Sequence, residues 1–208
     1  PTPAANAFIK PENLDTEEFY FPLDVYFCRS CNLLQLRHVV SPNFLFSDYV
    51  YVSGTSPVFE KHFENYANSL IKSYKLTDKS FICEIGSNDG TLLSFLKKYT
   101  SNLLGVDPAK NLVKLSKEKG IETLPIFFNT STAAEIIKDR GTFDNIIALN
   151  VIPHTPDLIN LLKGVYNILS PKGTLVMEGA YALETILKGE FDTIYHEHVY
   201  SFSLHSLN

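Results

Sequence analysis

Four reactive side chains stand in a row late in the sequence, within the segment FDTIYHEHVYSF of residues 191–202. They are the phenol of Tyr195, the imidazoles of His196 and His198, and the carboxylate of Glu197. Imidazole exchanges protons near neutral pH because its unperturbed pKa is roughly 6.5. A phenol next to such a base can donate a hydrogen bond to a developing oxyanion. The cluster therefore predicts acid–base chemistry.

The partner of His198 depends on the local backbone, which the residue types leave open. In a helix, Tyr195 and His198 share a face at positions i and i+3. In an extended segment, His196 and His198 share a face instead, and such a pair can also ligate a metal. No carboxylate-rich ligand set accompanies the two histidines, which favours proton transfer over a catalytic metal.

A second group with chemical potential is the pair Cys28 and Cys31, which has the spacing of a zinc knuckle. Two thiolates are half of a tetrahedral site, which His38 or a neighbouring chain could complete. Cys83 lies in an apolar segment and is interpreted as a small buried side chain. Few cysteines in this arrangement favour a reducing, cytoplasmic location over a disulfide framework.

A glycine-containing turn carries the strongest binding signal. The segment EIGSNDG runs from Glu84 to Gly90, directly after an apolar segment and directly before an amphipathic one. Glycines at a strand-to-helix turn let the backbone approach a ligand, and the free N–H groups of the helix face it. Asp107 ends the next predicted strand, where its carboxylate can bind ribose hydroxyls. Asn88 stands where the dinucleotide fingerprint needs its second glycine, which disfavours NAD.

The elements around this turn alternate between strands and helices. Strands are expected at FICEIG, NLLGVD, ETLPIFF, FDNIIALNV and GTLVMEG, with VYSFS as a further candidate. Amphipathic helices are expected between them, one starting at a capping box of Thr132 and Glu135 and one at Thr155 with Pro156. Such an alternation predicts an α/β fold, with a parallel sheet covered by helices on both faces. Ligands of these sheets bind at the carboxyl ends of the strands.

The N-terminal part follows a different pattern. DVYFCRSCNLLQLRHVV reads as two short strands joined by the CxxC turn, and SPNFLFSDYVYVSGTSP reads as a long aromatic loop. A helix is then expected to begin with Ser56 as its cap and Pro57 at its first position. We therefore expect a small β module of zinc-binding type over residues 1–55 and the α/β domain over residues 56–208. The sequence starts without methionine and stops within a predicted helix, so we expect it to be truncated at both ends.

The bulk composition excludes several classes. The net charge is −5 and the pI is near 5.7, without the basic stripe of a nucleic-acid protein. No apolar run approaches the roughly 20 residues of a membrane span. The composition thus argues against a nucleic-acid-binding protein and a membrane-spanning protein, and it leaves the oligomeric state open.

The motif E-x-G-x-N-x-G resembles motif I of class I methyltransferases, which bind S-adenosylmethionine (SAM). The segments DVYFCRSCNLLQL, EIGSNDGTLL, NVIPHTPDL, VMEGAY and FDTIYHEHVYSFSL are more narrowly similar to the SAM-dependent sugar C-methyltransferases. That family methylates the carbon next to the keto group of a nucleotide-linked 4-keto deoxysugar. The resemblance implies an N-terminal zinc module, a central methyltransferase domain and a C-terminal domain that would lie beyond Asn208.

The resemblance also implies where the cofactor binds. The loop holds the amino-acid part of SAM, with Glu84 near its charged end, and Asp107 binds the ribose. The segment IFFN flanks the adenine, and Asn150 lies near the methionyl group. The implied cofactor residues are Glu84, Gly86, Ser87, Asn88, Gly90, Asp107, Pro108, Phe128, Asn129 and Asn150.

For catalysis, the resemblance implies that His198 is the base that removes the proton. Tyr195 and His154 would lie close to the sugar ring or its keto oxygen, Glu197 would orient a neighbour, and Tyr49 would reach into the same pocket. Two alternatives remain: an NAD-dependent oxidoreductase on a similar sheet, and a SAM-binding module without catalysis.

Overall fold

The structure is a computed structural model that describes residues 1–207. The chain forms two compact units. We call Ser47–Leu149 with Asp157–Met177 the sheet unit, and Pro1–Phe46 with Asn150–Pro156 and residues 178–207 the terminal unit. The predicted domain division after residue 55 stays a prediction.

The described chain holds eight strands and eight α-helices. The strands are β1 (Val25–Phe27), β2 (Leu34–Leu36), β3 (Ile82–Ile85), β4 (Leu103–Val106), β5 (Thr123–Leu124), β6 (Phe143–Leu149), β7 (Leu169–Glu178) and β8 (Tyr200–Ser201). The helices are α1 (Pro42–Phe46), α2 (Pro57–Tyr74), α3 (Thr91–Leu96), α4 (Lys110–Glu118), α5 (Thr130–Arg140), α6 (Leu158–Ile168), α7 (Ala182–Lys188) and α8 (Leu204–Leu207). Short 3-10 turns cover Pro11–Asn13, Ser53–Thr55, Ile152–His154 and Phe191–Thr193.

The sheet unit is built on five strands in the order β5-β4-β3-β6-β7. β3 pairs in parallel with β4 on one side and β6 on the other, and all four of its residues are buried. The strand order therefore reverses at β3, and the loop that follows this strand lies at the switch point where such sheets bind ligands. The α/β fold with a five-stranded parallel sheet is confirmed.

One hydrophobic cluster ties the switch point to its helices. Leu92, Leu93 and Leu96 of α3 are almost fully buried against Leu70 of α2 and Ile82 of β3. Burying one such side chain stabilises the fold by about 1.5–3 kcal/mol, so this cluster holds the start of α3 firmly beside the loop.

Two predicted helix starts are wrong. The capping box of α5 joins Asn129 with Thr132, because the Asn129 side chain accepts from the Thr132 amide while Thr132 Oγ1 accepts from the Asn129 amide. Glu135 lies on the exposed side of the helix, one turn too late to take part. α6 begins after Asp157, whose carboxylate accepts from the Asn160 amide, and the Thr155 amide instead closes the preceding 3-10 turn.

Other local predictions need correction. Ser56 precedes α2, and Pro57 takes its first position, but the Ser56 side chain makes no capping bond. The strand expected at ETLPIFF shortens to Thr123–Leu124, since Pro125 has no N–H for a ladder. The expected long aromatic loop contains α1 and a 3-10 turn.

The terminal unit contains an antiparallel sheet in the order β1-β2-β8. β1 and β2 flank the CxxC turn as predicted, with Val25 opposite Leu36. β8 pairs with β2, placing Tyr200 opposite Gln35, so the expected sixth strand of the parallel sheet is wrong. The edge of β2 offers this strand an antiparallel partner, and the Leu36 amide extends the ladder to the Val199 carbonyl.

Between residues 1 and 207, no helix combines the length and hydrophobicity needed to cross a membrane.

Candidate functional site

The turn after β3 takes a backbone path that suits glycine. Gly86, Asn88 and Gly90 have positive φ angles of 69°, 51° and 72°. A Cβ on Gly90 would lie 2.5 Å from Ser116 Oγ, so a larger residue does not fit there. Asn88 adopts the left-handed region, which asparagine tolerates better than most residues. The turn therefore brings its backbone close to whatever binds beside it.

A small pocket opens at this turn. Its lining comes from the 3-10 turn before α2, from α2, β3, the turn after β3, α3 and the end of β6. The lining residues are Ser53, Phe63, Glu84, Gly86, Ser87, Asn88, Thr91, Leu92 and Leu149. Glu84 Oε2 and Ser87 Oγ are buried here without a hydrogen-bond partner among the residues that the structure describes. Buried polar atoms are rarely left unsatisfied, so both atoms indicate a missing polar ligand. A cationic group with N–H donors fits this lining.

The electrostatics of the pocket point the same way. Burial raises the pKa of Glu84 well above its usual range, and the nearby Asp107 and Asp89 raise it further. Burial also raises the pKa of Asp107, although the amides of Ala109 and Asn88 oppose this by donating to its carboxylate. A ligand cation would offset the cost of ionising Glu84.

Asn88 connects the turn to two other segments. Its amide donates to Asp107 Oδ2 at 2.8 Å, which links the turns that follow β3 and β4. Its carboxamide faces residues before α2: Oδ1 accepts from the Ser53 amide at 3.0 Å, and Nδ2 donates to the Tyr51 carbonyl at 3.0 Å. The asparagine side chain thus has a structural role that glycine could not fill.

The residues expected around the adenine and the methionyl group have their own contacts. Phe128 is buried, Pro108 is half-buried, and the Asn129 side chain caps α5. Asn150 belongs to the terminal unit, where its Nδ2 donates to Glu178 Oε1 at 3.0 Å. Their roles toward a cofactor stay predictions.

The reactive cluster of the terminal unit lies on a turn, neither helix nor strand. The 3-10 turn Phe191–Thr193 precedes it, and the His198 amide donates to the Tyr195 carbonyl at 3.0 Å. This turn brings Tyr195 Oη within 2.8 Å of His198 Nε2. Tyr195 is therefore the partner of His198.

The hydrogen bonds assign the tautomer of His198. Its Nδ1 lies 2.7 Å from the Thr193 carbonyl, which only accepts, so Nδ1 carries the proton. Nε2 then has the free lone pair and accepts from the Tyr195 hydroxyl. Burial lowers the pKa of His198, although Thr193 and Glu197 oppose the shift. The ring is thus held neutral, with its basic nitrogen toward the phenol.

A second imidazole lies beside this pair. The ring centroid of His154 is 5.0 Å from that of His198, and the His154 ring also stacks on Phe46 at a centroid distance of 5.6 Å. Burial lowers the pKa of His154 to about 3, with a further contribution from His198. His154 Nε2 is buried and has no hydrogen-bond partner within residues 1–207. The structure thus brings Tyr195, His198 and His154 together.

His196 and Glu197 point elsewhere. Both are 1% exposed. His196 Nε2 bonds the Phe21 carbonyl at 3.2 Å, and Asn6 Nδ2 donates to Glu197 Oε1 at 2.5 Å. These two residues fasten N-terminal segments to the turn, and an orienting role for Glu197 stays a prediction.

Tyr49 lies in the sheet unit, half-buried, and its backbone bonds Asn111 at the start of α4 in both directions. Its predicted contribution to catalysis stays a prediction.

The CxxC turn has the backbone of a metal knuckle. The Cys28 amide donates to the Leu33 carbonyl, and the Asn32 amide to the Cys28 carbonyl. Backbone amides of Cys31 and Ser30 lower the pKa of the Cys28 thiol. His38 instead pairs with Asp24 at 3.4 Å. In the described chain, no three His, Cys, Asp or Glu side chains are grouped to hold a metal ion, so these residues alone do not complete a zinc site.

Two families match consecutive parts of the chain. Residues 83–175 match the family described as "Methyltransferase domain", and residues 1–46 match the one described as "Putative zinc binding domain". Residues 83–175 therefore form a methyltransferase domain. Its five-stranded sheet has the strand arrangement typical of class I methyltransferases.

Among named relatives, this chain is similar to C-methyltransferase NovU of Streptomyces niveus. The two are 35% identical over 99% of this chain and 49% of that relative, so the chain spans about half of the relative's length. The aligned region covers both the CxxC module and the Tyr195–His198 turn.

Solved structures share the fold. The YcgJ protein of Bacillus subtilis has a TM-score of 0.53 at 20% identity, over 69% of this chain and 64% of that one. A SAM-dependent methyltransferase of Archaeoglobus fulgidus has a TM-score of 0.51 at 18% identity, over 72% of this chain and 69% of that one.

Several site residues of the methyltransferase were not predicted from its sequence. Thr193 acts through its backbone carbonyl and Phe46 through a long-range stack, so neither side-chain type gives a local signal. Asp89 did have a local signal, because it lies within the motif EIGSNDG, at a helix start where a carboxylate is favoured.

Proposed function

We propose that this protein is a SAM-dependent C-methyltransferase that acts on a nucleotide-linked 4-keto deoxysugar. In this reaction a base removes a proton from the carbon next to the keto group, and the enolate is methylated. The observation that carries the proposal is the neutral His198, whose basic Nε2 faces the Tyr195 hydroxyl at 2.8 Å. The similarity to a C-methyltransferase over 99% of the chain supports it.

His198 would remove the proton through Nε2. The Thr193 carbonyl holds Nδ1–H at 2.7 Å, which fixes both the ring plane and the tautomer. Burial keeps the imidazole unprotonated at neutral pH, as a general base requires. The imidazolium formed after proton transfer would be stabilised by the same carbonyl and by the carboxylate of Glu197.

Tyr195 would stabilise the enolate oxygen. Its hydroxyl already donates to an acceptor, Nε2, and a substrate oxyanion is a stronger acceptor than a neutral imidazole. Transfer of this hydrogen bond from Nε2 to the oxyanion would free the lone pair that takes the proton. The pKa of His154 is about 3, so its imidazole is neutral. It therefore adds no positive charge that would compete with Tyr195 for the oxyanion.

The turn after β3 would hold the methyl donor. When bound, SAM supplies an electrophilic methyl group on a sulfonium. Glu84 would accept from the ammonium of its amino-acid part, which accounts for the unpartnered Oε2. Asp107 would accept from the ribose hydroxyls, and Gly86 would allow the close approach of the backbone.

A structural zinc ion is proposed for the N-terminal module, with Cys28 and Cys31 as two of its ligands. No step of the reaction depends on it. The nucleotide of the sugar and the methylated ring carbon are not assigned.

Incubation of the intact protein with SAM and a panel of nucleotide-linked 4-keto deoxysugars tests the proposal. We expect one methyl group to be added at carbon, detected by mass spectrometry and assigned by NMR. Matched sugars with a hydroxyl in place of the ketone are the control and should stay unmodified, because their C–H is not acidic. Methylation of the hydroxyl analogue at oxygen would contradict the mechanism, and a melting-temperature increase with NADH but not with SAM would favour an oxidoreductase.

A further inference from the structure

We propose that residues 49–54 form a strap that closes the methyl-donor pocket, and that Asp89 is the residue that positions this strap. The inference deepens the proposed function, on whose donor site it rests. Neither the strap nor Asp89 touches a group that reacts, so the expected effect is on donor binding.

The strap is fastened to the donor site along its length. Tyr49 exchanges two backbone hydrogen bonds with the Asn111 side chain. The Tyr51 carbonyl and the Ser53 amide both bond the Asn88 carboxamide. Three residues of the strap are thus held by two side chains, Asn88 of the turn after β3 and Asn111 at the start of α4.

The last attachment is made to a buried carboxylate. The Gly54 amide donates to Asp89 Oδ2 at 3.1 Å, and the Asp89 side chain is 3% exposed. Lys119 Nζ, at the end of α4, donates to the same oxygen at 2.6 Å. The other carboxylate oxygen accepts from the amide and the hydroxyl of Thr91 at the start of α3. Asp89 therefore joins the strap to two helices at one point.

Gly54 is fitted to this junction. A Cβ at Gly54 would lie 2.6 Å from Asp89 Oδ2, 2.7 Å from Thr91 Oγ1 and 2.9 Å from Lys119 Nζ. The approach of the strap thus requires a residue without a side chain.

The strap contributes to the lining of the pocket that would hold the donor. Ser53 lines the pocket together with Glu84 and Ser87, which carry the two unpartnered buried atoms. A ligand bound to these atoms would lie under the strap, so the strap would slow its release. Loss of the Asp89 attachment should then speed dissociation of the donor without changing the reacting groups.

Two variants test this from opposite sides of the junction. Asp89→Asn removes the charge that pairs with Lys119, and Gly54→Ala pushes the strap away while leaving the turn intact. Lys97→Met is the matched control, because Lys97 binds the Gly120 carbonyl at 2.8 Å and does not contact the strap. Binding of S-adenosylhomocysteine, the donor without its methyl group, is measured by calorimetry and stopped flow, and amide exchange by mass spectrometry.

We expect roughly 10-fold weaker binding in both variants, mainly from faster dissociation, as for loss of a charge-assisted hydrogen bond. Amide exchange should rise at Ser53 and Gly54 and stay unchanged in β3 and α3, which separates a local role from general destabilisation. Lys97→Met should behave as the wild type. Wild-type affinity in Gly54→Ala together with faster exchange of the strap would overturn the inference.

The readout does not depend on the sugar. If the wild type binds the donor but methylates no keto sugar, the proposed reaction fails while the strap is still tested. If the wild type does not bind the donor, both proposals are overturned.

Discussion

The Tyr195 hydroxyl lies 2.8 Å from His198 Nε2, the nitrogen left without a proton by the bond from Nδ1–H to the Thr193 carbonyl. In the proposed reaction, the phenol therefore occupies the position at which a substrate C–H would meet the base. Tyr195 must release this bond before His198 can act, so the two residues are expected to respond to substrate as a pair.

The pH dependence of kcat/KM should reveal a base with a lowered pKa. Burial lowers the pKa of His198, and the base must be neutral to work. We expect the acidic limb of the profile to lie below pH ~6.5, the usual value for histidine. Initial rates across a pH series measure it. A limb above that value would contradict the buried neutral imidazole.

Tyr195→Phe serves as the companion variant in the same experiment. It removes the hydrogen bond that favours neutral Nε2, so the acidic limb should move to higher pH. The rate should also fall, by roughly 100-fold or more, if the hydroxyl stabilises the oxyanion. A lower rate with an unchanged acidic limb would show that the hydroxyl stabilises the oxyanion without lowering the pKa of His198.

Glu84→Gln should weaken binding of SAM and stabilise the fold. The pKa of Glu84 is raised in the folded protein, so the free energy of unfolding falls as the pH rises from the unfolded value, about 4.3, through the folded value. Glutamine does not ionise and should raise the melting temperature at neutral pH. It should weaken SAM binding about 10-fold to 100-fold, since a charged acceptor for the ammonium is lost.

Calorimetry and thermal melts measure both effects, with the exposed Glu135→Gln as control. For the wild type, SAM affinity should rise with pH and binding should release a proton. Unchanged affinity in Glu84→Gln would remove this residue from the donor site.

His154 should make the fold sensitive to acid. Its pKa is about 3 in the folded protein, whereas the unfolded chain takes up the proton near pH 6.5. The free energy of unfolding should therefore fall below pH ~6.5, by up to about 1.4 kcal/mol per pH unit for this one group. Denaturant titrations at several pH values measure the slope. His154→Gln should flatten it, and the exposed His205→Gln is the matched control.

A similar slope in the wild type and in His154→Gln would contradict the burial of a neutral imidazole. His198 adds to the slope in the same direction, because its pKa is also lowered by burial. Some acid sensitivity should therefore persist in His154→Gln.

The parallel sheet and the turn after β3 could be predicted because their signals are local. β3 is a short apolar run that is buried throughout, and the glycines after it need the positive φ angles that the structure gives them. The position of Cys28 and Cys31 in a turn between two strands follows from their spacing alone.

The remaining features depend on contacts between distant residues. β8 pairs with β2 and not with the parallel sheet, which no pattern in VYSFS distinguishes. Whether Tyr195 or His196 is the partner of His198 depends on the conformation of the turn, in which His198 bonds the Thr193 carbonyl. Every residue has a backbone carbonyl, so the sequence gives no signal for this contact. Asn88 could be identified as unusual in its motif, but its bonds to residues 51 and 53 needed the fold.

The central claim is that His198 removes the proton, and solvent exchange measures that step apart from methyl transfer. The intact protein is incubated in D₂O with the keto sugar nucleotide and S-adenosylhomocysteine, so that no methyl group is available. We predict deuterium at the carbon next to the ketone with the wild type, and exchange slower by roughly 100-fold to 10,000-fold with His198→Asn, at unchanged cofactor affinity. Equal exchange by His198→Asn and the wild type would contradict the account.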